Sequence, residues 1–410
     1  MTIMKGNESK LKRFLNTEKY LHMNLQRGMS MMLYRKFGKT NEEVSILGFG
    51  CMRLPVINGK DHLIDEKEAI KQIRYAIDNG VNYIDTAYPY HGGMSEVVTG
   101  KALKDGYREK VYLATKLPSW LVKSREHMDQ LLNEQLEKLS TDYIDFYLVH
   151  ALTKKRWENV KKHGVFDFLD SALKDGRIKH VGFSFHDEFP LFEEIMNSYD
   201  WSFCQIQYNF MDENYQAGKK GLKYAAERGL GIVIMEPLKG GSLVNDIPKD
   251  VQDIWDKADI KRTPAEWALR FLWDHPEINV VLSGMNNMEH IAENIKSAEK
   301  ATPNSLTVKE KELIEEVKNI YKEKIVVNCT NCRYCLPCPA GVGIPESFTQ
   351  LNNASMYDDI EAAKFHYNIL LVKHDKQASK CIECGKCEKL CPQNIEIRKM
   401  LKKVVATFGQ

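Results

Sequence analysis

Long apolar runs are missing from this 410-residue chain, although 43% of its residues are hydrophobic. No run approaches the roughly 18–20 apolar residues of a membrane span, and we find no signal peptide at the start. A surplus of charge is also missing, because 58 Lys and Arg face 56 Asp and Glu, for a net charge of +2. These absences argue against membrane and nucleic-acid partners and predict a cytoplasmic protein.

Cysteine is scarce through most of the chain and concentrated at its end. Only Cys51 and Cys204 precede residue 328, whereas eight cysteines follow it. This clustering argues against a disulfide framework and for metal binding. Two short runs contain the eight thiols: Cys329, Cys332, Cys335 and Cys338 in the first, and Cys381, Cys384, Cys387 and Cys391 in the second.

The spacing within these runs indicates iron–sulfur clusters. The second run fits the bacterial ferredoxin pattern C-x2-C-x2-C-x3-C-P, and the first is one residue shorter before Cys338-Pro339. Zinc is the alternative, because C-x2-C pairs also form four-thiolate sites. We predict two [4Fe–4S] clusters, and because such runs exchange their last ligands, Cys391 should complete the first cluster and Cys338 the second.

From Leu33 onward, short β-branched runs alternate with amphipathic helical segments. Eight strand–helix units over about 290 residues fit a (β/α)8 barrel better than a doubly wound sheet, since no G-x-G-x-x-G follows the first strand. We predict a flexible N-terminal extension over 1–32, a barrel over 33–325 and a small helical ferredoxin-like domain over 326–410. A hairpin of 33–37 and 43–47 should plug the barrel bottom. The predicted strands are 45–50, 82–86, 111–116, 143–150, 180–184, 203–207, 231–235 and 279–282, and the predicted helices include 66–79, 96–103, 124–139, 160–174 and two within 345–373.

Polar residues stand at the ends of several predicted strands, where (β/α)8 enzymes carry their chemistry. They are Asp85, Lys116, His150 and Ser184, with Tyr90 five residues beyond Asp85. Taken singly, each is an ordinary cap, surface or packing residue. Together they are mutually useful, because an ammonium lowers the pKa of a tyrosine from its ordinary value near 10. A carboxylate holds the lysine, and an imidazole orients a carbonyl.

These residues lie in longer motifs that resemble the aldo-keto reductase family. The motifs are Tyr83-Ile-Asp85-Thr-Ala87-Tyr-Pro-Tyr90, Ala114-Thr-Lys116-Leu-Pro118, Leu148-Val-His150, Gly182-Phe-Ser184, Gln205-Ile-Gln207-Tyr-Asn209, Glu236-Pro-Leu-Lys-Gly-Gly241 and Glu293-Asn294. The resemblance implies a (β/α)8 fold, an NADP or NAD cofactor bound without a Rossmann motif, and a catalytic tetrad of Asp85, Tyr90, Lys116 and His150. Tyr90 would be the general acid in the reduction of an aldehyde or ketone to an alcohol.

The resemblance also implies a set of cofactor contacts. Ser184 and Gln207 would hold the carboxamide, and Met235 stands where a stacking aromatic is usual. Because Gly284 and His290 occupy positions where a 2′-phosphate is usually gripped by basic residues, we expect at most a modest preference for NADPH. The full set is Gly50, Cys51, Met52, Ser184, Gln207, Met235, Leu238, Gly240, Ser283, Gly284, Asn286, Glu293 and Asn294.

Two functions are compatible with these patterns. The first is an NAD(P)-dependent reductase of small carbonyl substrates with an added cluster domain. The second is a cofactor-binding electron-transfer or redox-sensing protein without carbonyl turnover. Clusters pass single electrons whereas a hydride carries two, and no flavin signature connects them. The clusters are therefore expected to be structural, to sense oxidation, or to dock a ferredoxin-like partner.

Overall fold

A computed structural model describes residues 32–245, 247–329, 335–391 and 393–409. The predicted N-terminal extension lies outside this part of the chain except for Met32, which is buried in the barrel core. Two compact units contain the described residues, the first over 32–239 and 265–306 and the second over 240–264 and 307–409. In the described residues, no helix is long and apolar enough to cross a lipid bilayer.

The first unit is built on a closed barrel of eight parallel strands, as the sequence predicts. Going around the barrel, β10 pairs with β3, and β3 to β9 then follow in chain order. A separate antiparallel pair, β1 with β2, precedes them. The strands are β1 (Tyr34–Lys36), β2 (Glu43–Ser45), β3 (Leu47–Gly50), β4 (Tyr83–Asp85), β5 (Tyr112–Leu117), β6 (Ile144–Leu152), β7 (Ile178–Phe185), β8 (Phe203–Gln207), β9 (Gly231–Met235) and β10 (Val280–Ser283).

Helices alternate with these strands. The predicted single helix over 160–174 is wrong, because two helices replace it and are separated by Gly164, whose φ of 76° ends the regular backbone. The first of the two is strongly polar, with only Trp157 and Val160 buried. The helices are α1 (Glu66–Asp78), α2 (Met94–Ala102), α3 (Arg125–Leu139), α4 (Lys154–Lys162), α5 (Val165–Asp175), α6 (Phe189–Met196), α7 (Gly218–Glu227), α8 (Lys249–Trp255), α9 (Pro264–Trp273), α10 (Met288–Ala298), α11 (Val308–Glu323), α12 (Ile344–Met356), α13 (Ile360–Leu370), α14 (Lys386–Leu390) and α15 (Ile397–Phe408).

The hairpin plugs the amino end of the barrel, as predicted. Phe37 follows β1 and is fully buried, with its ring centroid 4.7 Å from that of Phe146 and 5.5 Å from that of Phe203. The next residue, Gly38, has φ of 54°, and a Cβ there would lie 2.2 Å from the backbone nitrogen of Gly231. Only glycine fits so close to the start of β9. With the amino end closed, the carboxyl ends of the strands are left for a site.

The second unit has its own small helical core. Helices α12 and α13 confirm the two helices expected between the cysteine runs, and they pack with α15 around Phe348, Tyr367 and Phe408. Helix α13 turns only part of its apolar surface toward this core. Ile360 and Phe365 are exposed, because the helix turns Ala363 and Tyr367 toward the core instead. Ion pairs join α11 to the 240–264 segment: Arg262–Glu310, Lys309–Asp259 and Lys257–Glu316.

Candidate active site and cluster site

A buried ion pair lies at the carboxyl ends of β4 and β5. The Lys116 Nζ atom is 2.6 Å from Oδ1 of Asp85 and also donates to the carbonyl oxygen of Thr86 at 2.7 Å. Both charged side chains are almost completely shielded from water. Burial by itself lowers the pKa of Lys116, but the charges of Asp85 and Tyr90 and the hydrogen bonds to both together outweigh it and hold the pKa above its ordinary value. The lysine is therefore a cation at neutral pH.

Tyr90 lies over this pair on the loop after β4. The Lys116 Nζ atom is 5.1 Å from the centroid of the Tyr90 ring. Burial raises the pKa of Tyr90, and the neighbouring ammonium opposes this rise without cancelling it. The lowering effect of the lysine was expected from the sequence, but the larger effect of burial was not. The phenol consequently keeps its proton at neutral pH.

The neighbouring His91 anchors the Tyr90 loop, which sequence reasoning did not anticipate. His91 is buried and has φ of 53°, in the left-handed region. Its Nδ1 lies 2.6 Å from the carbonyl oxygen of Asp61, and its Nε2 accepts from the backbone N–H of Leu54 at 3.1 Å. These two bonds fix a strained turn and with it the direction of Tyr90. The sequence signal that could have pointed to His91 was its position directly after Tyr90, the proposed acid.

His150 lies near the carboxyl end of β6, a strand that is buried along its whole length, and faces Tyr90. The two ring centroids are 6.2 Å apart at an interplanar angle of 81°, and the ring centroid of Trp120 is 5.2 Å from that of His150. Burial and the nearby charge of Lys116 lower the pKa of His150 well below its ordinary value. The imidazole is therefore neutral. Among the described residues its buried Nδ1 has no hydrogen-bond partner. The structure thus brings all four residues of the predicted tetrad together.

Two of the expected carboxamide contacts lie on adjacent strand ends. The Ser184 Oγ atom, at the end of β7, accepts from the backbone N–H of Ala151 at 2.6 Å, which leaves its own hydrogen free to donate. Gln207 ends β8 and donates through Nε2 to Asp212 at 3.1 Å, which leaves its side-chain oxygen to accept. A carboxamide needs one donor and one acceptor, so this pair of side chains fits it.

The predicted nicotinamide pocket is less uniform. Cys51 is fully buried and burial raises the pKa of its thiol to about 12, so only its backbone is available to a cofactor. Gly50 and Met235 are half-buried at the ends of β3 and β9, while Met52 is half exposed. Further along, Leu238 is half-buried, and Gly240 lies in an exposed turn with φ of 68°.

At the predicted adenosine end, Ser283 and Asn294 bind each other. The Asn294 Nδ2 atom donates to Ser283 Oγ at 3.0 Å, and both side chains are buried. Glu293 is half-buried on α10, and Asn286 is exposed on the loop before it. A Cβ added to the exposed Gly284 would lie 3.3 Å from the side chain of Arg53. Arg53, from the loop after β3, therefore lies against Gly284, the position where a basic residue is usual.

The cysteine runs are partly tested by the described residues. Cys338 lies in one pocket with Cys381, Cys384 and Cys387, which is the grouping predicted for the second cluster. In the described part of the chain, no three His, Cys, Asp or Glu side chains are close enough to bind one metal ion. Of the ligands predicted for the first cluster, Cys332 lies outside the described residues, while Cys329, Cys335 and Cys391 pack beside the small helical core.

Comparison with known proteins agrees with this geometry. The profile of the aldo/keto reductase family matches residues 46–317. The chain belongs to the aldo/keto reductase family. This oxidoreductase also carries a 4Fe-4S dicluster domain, because the profile of that domain matches residues 328–396.

Relatives of this aldo/keto reductase include a probable aldo-keto reductase 1 from Glycine max, 25% identical over 63% of this chain and 82% of the relative. The L-galactose dehydrogenase of Arabidopsis thaliana is 25% identical over 71% of this chain and 97% of its own. A Klebsiella pneumoniae aldo-keto reductase in complex with NADPH has a TM-score of 0.59 at 20% identity, covering 70% of this chain and 95% of that one. This last likeness shows the fold alone.

A buried polar network behind the tetrad of this aldo/keto reductase was missed by sequence reasoning. Gln135 Nε2 donates to the Lys116 carbonyl oxygen at 3.0 Å and to Glu96 Oε1 at 2.6 Å, and Tyr147 donates to Gln135 at 2.8 Å. Burial raises the pKa of Glu96. These hydrogen bonds fix the backbone of β5 at Lys116. Because the residues of the network are far apart in the sequence, no short motif predicts it.

Proposed function

We propose that the barrel reduces a small aldehyde or ketone to an alcohol, with NADPH or NADH as the reductant. The observation that carries the proposal is the grouping of Tyr90, Lys116, Asp85 and His150 at the carboxyl ends of neighbouring strands. Three of the four groups are in the protonation state that the reaction needs, namely neutral Tyr90, cationic Lys116 and neutral His150.

In this proposal the bound nicotinamide supplies the hydride that the carbonyl carbon accepts. Tyr90 gives its phenolic proton to the carbonyl oxygen. With the hydride on carbon and the proton on oxygen, the C=O double bond becomes the C–O single bond of an alcohol. Lys116 stabilises the phenolate that is left, and Asp85 holds the lysine in place at 2.6 Å. A proton from solvent then restores Tyr90.

His150 orients the substrate. A neutral imidazole whose Nδ1 has no partner in the described residues is most favourably protonated at Nε2, because a buried N–H without an acceptor is costly. The Nε2–H group then donates to the carbonyl oxygen beside Tyr90. Ser184 and Gln207 hold the carboxamide of the cofactor through their free donor and acceptor.

For the second region we propose two [4Fe–4S] clusters that exchange single electrons with a ferredoxin-like partner. Cys384 is exposed, and the adjacent Ile382 is 66% exposed. A cluster held by Cys384 would therefore lie near the surface. Both proximity to the surface and an apolar rim favour transfer to a docked protein.

The test of the barrel proposal is NADPH and NADH oxidation by anaerobically purified protein against a panel of aldehydes and ketones. We expect turnover that falls by about 10²–10⁴ in Tyr90→Phe, the usual contribution of a placed acid, with cofactor affinity unchanged. Tyr88→Phe is the matched control, because its hydroxyl bonds Glu134 rather than the tetrad. Wild-type turnover by Tyr90→Phe would refute the assignment. Cofactor binding without turnover of any carbonyl would favour the electron-transfer alternative.

A further inference from the structure

Arg156 is a half-buried arginine without a carboxylate partner among the described residues. It lies on α4, where Nη1 donates to the carbonyl oxygen of Ala151 at 2.8 Å. Burial lowers the pKa of Arg156, and no acidic group offsets that effect. Three other part-buried arginines of the barrel each bind a carboxylate, namely Arg108 with Asp145, Arg177 with Asp129, and Arg270 with Glu266, whereas Arg35 donates to backbone carbonyl oxygens.

The position of Arg156 connects it to the proposed active site. Its guanidinium carbon is 5.0 Å from the centroid of the Trp120 ring, and that ring is 5.2 Å from the ring of His150. Its hydrogen-bond acceptor, Ala151, directly follows His150. Arg156, Trp120 and His150 therefore form one wall, which Tyr90 continues at 6.2 Å from His150.

The charged groups that act on the Arg156 and His150 part of this wall are positive. Arg156 is near enough to lower the pKa of both His150 and His186, and the pKa of His186 falls to about 4, mainly through burial. Beyond Asp85, the carboxylate that acts on Tyr90 is Glu236, after β9. No acidic group acts on His150 or Arg156 in the described residues. The His150 side of the site is thus suited to an anion.

We propose that the substrate is an oxo acid, whose carboxylate binds Arg156 while its carbonyl group lies between His150 and Tyr90. A guanidinium binds a carboxylate through two parallel hydrogen bonds, and partial burial strengthens them. The face of Trp120, which is 38% exposed, packs against the carbon chain between the two polar ends. This inference rests on the proposed carbonyl reduction and names its substrate class.

The kinetic test compares aldehydes that differ only in a terminal carboxylate. We would measure kcat/KM for 4-oxobutanoate against butanal, and for 5-oxopentanoate against pentanal. Charge-assisted hydrogen bonds contribute about 1.5–3 kcal/mol, so Arg156→Gln should lower kcat/KM for the oxo acid by about 10–150-fold. The neutral aldehyde should change by less than about threefold. Arg156→Lys should keep part of the preference, and Lys155→Gln, an exposed cation on the same helix, should keep all of it.

A binding test separates this inference from the proposed function. Butanoate and butanamide, neither of which can be reduced, would be titrated by tryptophan fluorescence without cofactor, with Trp120→Phe to identify the signal. We expect butanoate to bind at least about tenfold more tightly than butanamide, and Arg156→Gln to remove the difference. Carbonyl turnover without a preference for the oxo acid would overturn the inference and leave the proposed function intact. Arg156-dependent butanoate binding without turnover of any carbonyl would overturn the proposed carbonyl reduction and leave only the carboxylate-binding role of Arg156.

Discussion

The barrel and the cysteine-rich region stabilise themselves in different ways. Inside the barrel, aromatic and aliphatic side chains such as Phe37, Phe146 and Phe203 fill the space completely. The helical region after residue 326 has a much smaller core around Phe348, Tyr367 and Phe408. Its described thiols are half-buried or exposed, and Ile382 and Leu390 are largely exposed. The barrel is thus stabilised by its own side chains, whereas we expect the second region to depend on the metal that its thiols would bind.

Removing the iron should have the largest effect, because it tests whether the second region needs metal to fold while the barrel does not. Anaerobically purified protein should carry about eight irons per chain. After chelation, the helical circular dichroism of 326–410 should be lost, because its core is too small to fold alone. Tryptophan fluorescence should change little, since five of the six tryptophans lie in the first unit and only Trp255 lies in the second. Persistence of the helical signal in iron-free protein would contradict the expectation.

Two truncated proteins can show whether α11 belongs to the barrel or to the second region. Deleting 326–410 keeps the ion pairs of α11 with the 240–264 segment, whereas deleting 307–410 removes them. We expect the longer truncated protein, 1–325, to bind cofactor, and the shorter one, 1–306, to be less stable. Equal thermal stability of the two truncated proteins would show that neither α11 nor its ion pairs, of which Arg262–Glu310 is largely buried, stabilise the rest of the chain.

A smaller but still large effect is expected at the buried ion pair. Lys116→Met should lower the free energy of unfolding of the barrel by about 3–5 kcal/mol, because Asp85 is left as an uncompensated buried charge. Lys101→Met is the control, since its pair with Glu66 is partly exposed on both sides and should contribute less than about 1 kcal/mol. Urea denaturation followed by tryptophan fluorescence measures both. Similar losses in the two variants would mean that Lys116 and Asp85 are not a buried charged pair.

The pH dependence of stability should be visible at His186. Its folded pKa of about 4 lies below the ordinary 6.5, mainly because of burial, so the unfolded chain binds a proton more readily. Stability should therefore be complete above pH 6.5 and decline as pH falls toward 4, by at most about 3 kcal/mol. In His186→Gln that decline should be shallower. Parallel curves for variant and wild type between pH 6.5 and 4 would rule out this contribution.

The smallest expected effect concerns cofactor choice. Because Arg53 covers Gly284, we expect Arg53→Ala to weaken NADPH binding by about 3–10-fold and to leave NADH binding nearly unchanged. Lys60→Ala, an exposed cation of the same loop, is the control. Equal losses for the two cofactors would place Arg53 at the shared pyrophosphate instead. A preference for NADPH above about a thousandfold that survives Arg53→Ala would require a further basic group.

The barrel strands were predictable because β-branched runs at regular intervals leave few other arrangements. The helix over Lys154–Lys162 was not, because its polar sequence buries only Trp157 and Val160. The tetrad residues carried a recognisable motif, yet the effect of burial on Tyr90 did not appear in it. Electrostatic balance depends on how much water each group loses, and that depends on neighbours from several strands.

The sequence by itself determined the fold class, the two cysteine runs and the identity of the four tetrad residues. Each of these is written in local spacing or in a short motif. Only the tertiary structure decided that Arg53 lies against Gly284 and that Arg156 is beside His150 without a carboxylate partner among the described residues. These contacts join residues from different loops and helices, and no local pattern records which side chains the closed barrel brings together.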